Sequence, residues 1–101
     1  MTRARRLVDA VVQERLSQIP GWSLKDGKLH REFKFANFVE AFAFMTASAL
    51  EAEKLNHHPE WSNVWATVKV DLTTHHAQGI TDLDFELASR MEVHARTNGE
   101  A

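Results

Sequence analysis

The dipeptide Asp26-Gly27 constrains this chain more than any other local feature. Asp-Gly suits a two-residue hairpin turn, whose central residues need positive φ. Trp22 to Lys25 reads as the short strand before it, and Lys28 to Phe35 as the returning strand. The second run alternates: Leu29, Phe33 and Phe35 share one side, and His30, Glu32 and Lys34 the other. Arg31 is the exception on the apolar side and is expected at the sheet's edge. An antiparallel pair with one apolar face needs a second layer to cover it.

The flanking segments supply that layer. Leu7, Val11, Val12, Leu16 and Ile19 recur at helical spacing, so Leu7 to Ile19 is read as a helix that Pro20-Gly21 ends. Asn37 is a candidate N-cap, with Glu40 as its capping-box partner, for a helix running to about Leu55. Such a helix is about 30 Å long. Phe38, Phe42, Met45, Ala49 and Ala52 form one apolar stripe, and Val39, Ala43, Phe44, Ala47 and Leu50 widen it. The helix is therefore expected to pack on the sheet and also on a second subunit.

Pro59 disfavours helix at His58. A second strand pair follows, Trp61 to Trp65 and Thr67 to Thr74. In the latter Val68, Val70 and Leu72 face one way and Lys69, Asp71 and Thr73 the other, and His75 carries the polar parity. Thr81, with Asp84 at the capping-box position, opens a last helix whose apolar side is Phe85, Leu87, Ala88, Met91 and Ala95. Thr97 to Ala101 is expected to be a frayed tail. The order α-β-β-α-β-β-α predicts an α+β fold: two layers, a four-stranded antiparallel sheet with three helices on one face.

Composition narrows the function. The 101 residues, 44% of them apolar, suit one domain spanning 1–101. A net charge of -2 argues against nucleic-acid binding. Arg3, Arg5 and Arg6 are followed by Asp9, Gln13 and Glu14 and not by an apolar run, so no signal peptide is expected. No stretch is long and apolar enough for a membrane span, and a cytoplasmic location is the default. The absence of cysteine excludes thiolate nucleophiles, disulfides and cysteine metal sites.

Chemistry concentrates in the histidines. Four of six lie in His57-His58 and His75-His76. Free imidazole titrates near neutral pH, at about 6.5, so such a cluster suits proton transfer. Other readings stay open. His57-His58 can serve a helix C-terminus as charge. Trp61 and Trp65 can be core or interface anchors, Asp82 and Asp84 can serve a helix N-terminus, and His30 and His94 can be plain surface residues. A metal site is disfavoured by spacing: adjacent residues of an extended segment point apart, and no H-x-x-x-H pattern occurs.

The run Glu53-Lys54-Leu55-Asn56-His57-His58-Pro59-Glu60-Trp61, with Asn63-Val64 after it and Thr74-His75 beyond, closely resembles the pterin-4a-carbinolamine dehydratases. Gly21-Trp22, Ala41-Phe42-Ala43-Phe44-Met45 and Leu87-Ala88-Ser89 extend the resemblance over nearly the whole chain. It implies a four-stranded antiparallel sheet backed by three helices. It also implies dehydration of a 4a-hydroxytetrahydropterin, released by aromatic amino acid hydroxylases, to a quinonoid dihydropterin that a reductase recycles. No cofactor and no metal is implied.

By the resemblance, His57, His58 and His75 are the active-site histidines. His57 and His75 are the proton-transfer residues and His58 the one that binds and orients the pterin. Glu53 would orient an imidazole, Pro59 would hold the pair rigid, and Trp61 would wall the ring or pack. Thr74, His75, His76 and Ala77 would line the opposite side. This chain departs from animal members at Asn56 (aspartate there), at His76-Ala77 (Glu-Cys there) and at Leu83 (arginine there). Vertebrate members also act as a dimerisation cofactor of a homeodomain transcription factor. Three readings therefore stand: the dehydratase, a protein-binding regulator that docks through the long helix, and a dehydratase-like protein in another pterin-linked pathway. A homodimer or homotetramer is expected.

Overall fold

The computed structural model describes residues 4–101; Arg3 lies outside them. The elements are α1 (Asp9–Leu16), β1 (Ser23–Lys25), β2 (Lys28–Lys34), α2 (Phe38–Leu55), β3 (Glu60–Val64), β4 (Thr67–Leu72), a short 3-10 turn (His75–Ala77) and α3 (Asp82–Thr97). The expected α-β-β-α-β-β-α order and the antiparallel four-stranded sheet are both present. Strands run β1-β2-β4-β3, so the two hairpins meet along β2 and β4.

Register explains the core. Leu29 pairs with Leu72 and Phe33 with Val68, which places these side chains on one face. That face, with Val70, packs against Ala41, Phe44 and Ala52 of α2 and against Phe85, Leu87, Ala88, Met91 and Ala95 of α3. Phe33 and Phe44 touch with ring centroids 4.6 Å apart, and the Trp22 ring meets Phe33 edge-on at 5.9 Å. Fully burying one such side chain contributes about 1.5–3 kcal/mol. The opposite face is polar: Lys69 and Asp71 stand there with His30 and Glu60.

Several expectations are corrected. The first helix covers Asp9–Leu16 only; Leu7 is extended, and its N–H is spent on Ile80 O at 2.8 Å. In α2 the buried side is Ala41, Phe44, Ser48 and Ala52, while Phe38, Val39, Phe42 and Leu50 are exposed. The buried side takes one ring, Phe44, between small residues that allow close approach, and leaves Phe38 and Phe42 outside. Asn37 does cap α2, accepting from Glu40 N at 2.9 Å. Arg31 is not on an edge strand: β2 is interior, and Arg31 pairs with Val70. Its charge is tolerated among apolar neighbours because Glu92 and Glu100 bind it and it lies 4.1 Å over the Phe33 ring.

Strand β3 spans Glu60–Val64 rather than Trp61 to Trp65, because Trp65 turns with φ 49° and is exposed, not a core anchor. Strand β4 stops at Leu72 because Thr74 leaves the ladder to bridge Gly79. The tail is not frayed. Gly99 takes φ 74°, its N–H bonds Arg96 O at 3.2 Å, and Glu100 N–H bonds Ala95 O at 2.9 Å. This is the Schellman closure of a helix. Ala101 then donates to Lys34 O at 2.7 Å, tying the C-terminus to the sheet.

Candidate active site

The histidine pair owes its geometry to the end of α2. Asn56 adopts the left-handed conformation (φ 50°), which asparagine tolerates better than most residues. Its N–H bonds Glu53 O at 3.1 Å, and His57 N–H reaches back to Ala52 O at 3.0 Å. The same Schellman geometry that closes α3 thus folds His57 over the helix end. Pro59 then forces extended backbone into β3. His57 points inward and is 8% exposed, whereas His58 points out.

Inside, His57 Nε2 lies 2.5 Å from Asp84 Oδ1. Asp84 comes from the first turn of α3 and is wholly buried. Its Oδ2 accepts from Thr81 N at 2.9 Å, completing the capping box, and from Thr74 Oγ1 at 2.8 Å. Thr74 and Thr81 hydroxyls are themselves 2.8 Å apart. The helix N-terminus favours negative charge at this position. With Asp84 as a carboxylate, Nε2 of His57 is the donor, and Nδ1 of the neutral ring is its acceptor nitrogen.

His58 Nε2 meets Glu53 Oε1 at 2.5 Å, one turn back on α2. His75 stands exposed on the 3-10 turn, its Nε2 3.0 Å from Glu60 Oε2. Glu60 opens β3 and also holds Lys28 Nζ at 2.5 Å. The Lys28 hydrogen bond is the largest influence that holds the Glu60 carboxyl below the usual carboxylate range, with burial opposing it and His75 adding less. Lys28 is raised in turn, chiefly by the Glu60 hydrogen bond.

Each of His57, His58 and His75 therefore has a carboxylate, and the three carboxylates come from three elements: α3, α2 and β3. Thr74 links two of the units, since it binds Asp84 and directly precedes His75. His76 is exposed, with Nε2 3.4 Å from Ala4 O. Ala77 is half-buried, and its N–H bonds Thr74 O at 3.1 Å. Trp61 is half-buried against the core, and Pro59 is half-buried beside His58. On the open sheet face a depression of about 310 Å³ adjoins Glu60, lined also by His30, Trp61, Ser62, Lys69 and Asp71. Among the described residues no three His, Cys, Asp or Glu side chains are grouped to hold a metal ion. No described helix is long and apolar enough to cross a membrane.

The family model described as pterin 4 alpha carbinolamine dehydratase matches residues 5–94. The chain belongs to that family. A relative from Rhizobium johnstonii, named "Putative pterin-4-alpha-carbinolamine dehydratase", is 54% identical over 92 residues, covering 89% of this chain and 91% of its own. One of the same name from Solibacter usitatus is 51% identical over 87 residues, covering 86% and 92%. The crystal structure of a transcriptional coactivator/pterin dehydratase from Brucella melitensis superposes with a TM-score of 0.87 at 44% identity, over 90% of this chain and 99% of that one.

Two carboxylates that hold candidate histidines, Asp84 and Glu60, do not stand out in the sequence as site residues. Asp84 was visible only as a helix cap, although its other oxygen serves His57. Glu60 was visible only as a letter within the histidine motif. A pointer to it existed, since a carboxylate opening a strand that follows His-His-Pro stands on the polar face with His30 and Asp71.

Proposed function

We propose that this chain dehydrates a 4a-hydroxytetrahydropterin to a quinonoid dihydropterin and water by histidine acid–base catalysis, as a step of tetrahydropterin recycling. The observation that carries this reading is the pairing of each of His57, His58 and His75 with its own carboxylate in a member of this family. A carboxylate on one ring nitrogen sets the tautomer and aims the other.

The chemistry needs two proton movements. The 4a-hydroxyl leaves as water once an acid protonates it while the C4a–O bond breaks. The adjacent ring nitrogen supplies the electron pair and gives up its proton to a base. Each transfer is typically worth about 10²- to 10⁴-fold. His57, held by Asp84, and His75, held by Glu60, carry these steps. His58, with Glu53, orients the pterin. Pro59 fixes the backbone between His58 and β3, Trp61 walls the ring, and Thr74 to Ala77 line the far side. His57→Ala and His75→Ala are each expected to lower the dehydration rate about tenfold or more while circular dichroism stays native. Stopped-flow breakdown of 4a-hydroxytetrahydropterin is the assay. Wild-type rates in both variants would sink the reading.

A second reading has its own observation. Phe38 and Phe42 lie exposed on α2 with ring centroids 5.7 Å apart, and the Brucella relative carries the name coactivator. In a docking protein, Phe38 or Phe42 variants change partner binding and leave dehydration intact.

A further inference from the structure

Glu60 divides its two oxygens between charges from different parts of the fold. Oε2 meets His75 Nε2 at 3.0 Å, and Oε1 meets Lys28 Nζ at 2.5 Å. Lys28 opens β2 directly after the Asp26-Gly27 turn, and Glu60 opens β3 two strands away. Between them runs β4, whose Asp71 faces Glu60 across the ladder. The lysine therefore reaches over the middle strand to bind the carboxylate that holds the exposed histidine.

We propose that Lys28 is a positioning residue for the dehydration, fixing through Glu60 which nitrogen of His75 is turned toward substrate. The inference rests on the dehydratase reading above. A glutamate side chain opening an edge strand has several rotamers, and Lys28 selects the one whose second oxygen faces His75. While Glu60 is ionised, Nε2 of His75 is its donor and Nδ1 is offered to the pterin. If Glu60 becomes protonated or swings away, either tautomer serves, and the ring loses its aim.

The surrounding charges act on the same carboxylate. Lys28 favours the ionised carboxylate, and so does His75 when charged. Asp71, facing Glu60, opposes it and is itself bound to His30 at 2.8 Å. Lys25 and Lys69 line the same depression. Asp26 adds to the pull on Lys28. Removing Lys28 takes away the largest influence lowering the Glu60 pKa and releases the carboxylate to its other rotamers, so the oxygen facing His75 is no longer held.

The test uses the full chain as wild type, Lys28→Met, Lys28→Arg, Glu60→Gln, the Lys28→Met/Glu60→Gln double variant and His75→Ala. Stopped-flow dehydration is followed across pH, and ¹⁵N NMR reads the tautomer of His75. Lys28→Met should lower kcat about two- to five-fold with KM nearly unchanged, the range expected of a part-exposed ion pair. It should also mix the His75 tautomers. Lys28→Arg should restore both. In the Glu60→Gln background Lys28→Met should add nothing, because the two act as one unit. An additive loss in the double variant, or an unmoved tautomer, overturns the inference. His75→Ala separates the two ideas. If it keeps full rate, the dehydratase role of His75 fails and the inference falls with it; if it loses rate while Lys28→Met leaves kcat and tautomer unmoved, the dehydratase role stands and the inference alone fails.

Discussion

At the scale of the residue, Asp84 does most to set the character of the site. It is wholly buried, caps α3, binds Thr74 and holds His57. Asp84→Asn keeps the shape and one acceptor oxygen, but its amide can present a donor to Nε2 where a carboxylate cannot. The expected outcome is loss of rate of about tenfold or more, with far smaller change in KM and a native circular dichroism spectrum. A wild-type kcat would show that His57 needs no fixed tautomer. Ser48 gives the contrary case. Its hydroxyl is fully buried in α2 and has no hydrogen-bond partner among the described residues. Ser48→Ala removes an unpaired polar group and improves helix propensity, so the gain should be about 1 kcal/mol. Urea unfolding should show a higher midpoint at unchanged m. A lower midpoint would mean that the hydroxyl is satisfied in solution.

At the scale of the element, what was readable in advance follows from which forces are local. The Asp26-Gly27 hairpin and the Thr81–Asp84 capping box appear where expected, because both depend on residues within a few positions. The buried face of α2 was not readable. Apolar residues surround that helix, so hydrophobicity alone does not choose a side, and the sheet chooses Ala41, Phe44, Ser48 and Ala52. The His57–Asp84 contact spans 27 positions and is created by packing α3 beside the end of α2. The docked C-terminus was partly legible, since Asn98-Gly99 is a helix-stop signal that the frayed-tail reading passed over. Helices α2 and α3 also meet through Glu51, which holds His94 Nε2 at 2.8 Å and Arg90 Nη1 at 3.1 Å. The His94 hydrogen bond is the largest cause that lowers the Glu51 carboxyl below its ordinary value, with Lys54 and Arg90 adding to it against burial. A depressed native pKa stabilises the fold above the ordinary carboxylate value, and that stability is lost as pH falls through the native one. Glu51→Gln should therefore melt below wild type at neutral pH. The gap should close as pH drops below the ordinary value of 4.5. A gap independent of pH would assign the loss to packing instead.

At the scale of the whole molecule, the side of α2 turned away from the sheet demands an explanation. Phe38, Val39, Phe42 and Leu50 are 49%, 75%, 54% and 62% exposed, on one helix of a chain this small. Contiguous apolar surface of this kind usually marks an interface. Strand β3 adds an open edge, since among the described residues it pairs only with β4, and Val64 and Trp65 at its end are exposed as well. Self-association through α2 would account for the rings that the core leaves outside. Every side chain given a part in the chemistry lies elsewhere, at the end of α2 and the turn after it, the starts of β2 and β3, the 3-10 turn with Thr74 before it, and α3. Charge placed on the middle of the α2 face should thus separate assembly from catalysis. Phe42→Lys is expected to lower the mass seen by light scattering toward that of one 11.5 kDa chain, with the melting transition retained. Dehydration per chain should stay within about twofold of wild type, because no reacting group sits on that face. A wild-type protein that scatters as a monomer would remove self-association as the reason for the exposed rings. The docking reading would then be the one that explains them, and partner binding by the Phe38 and Phe42 variants would be the measurement that decides it.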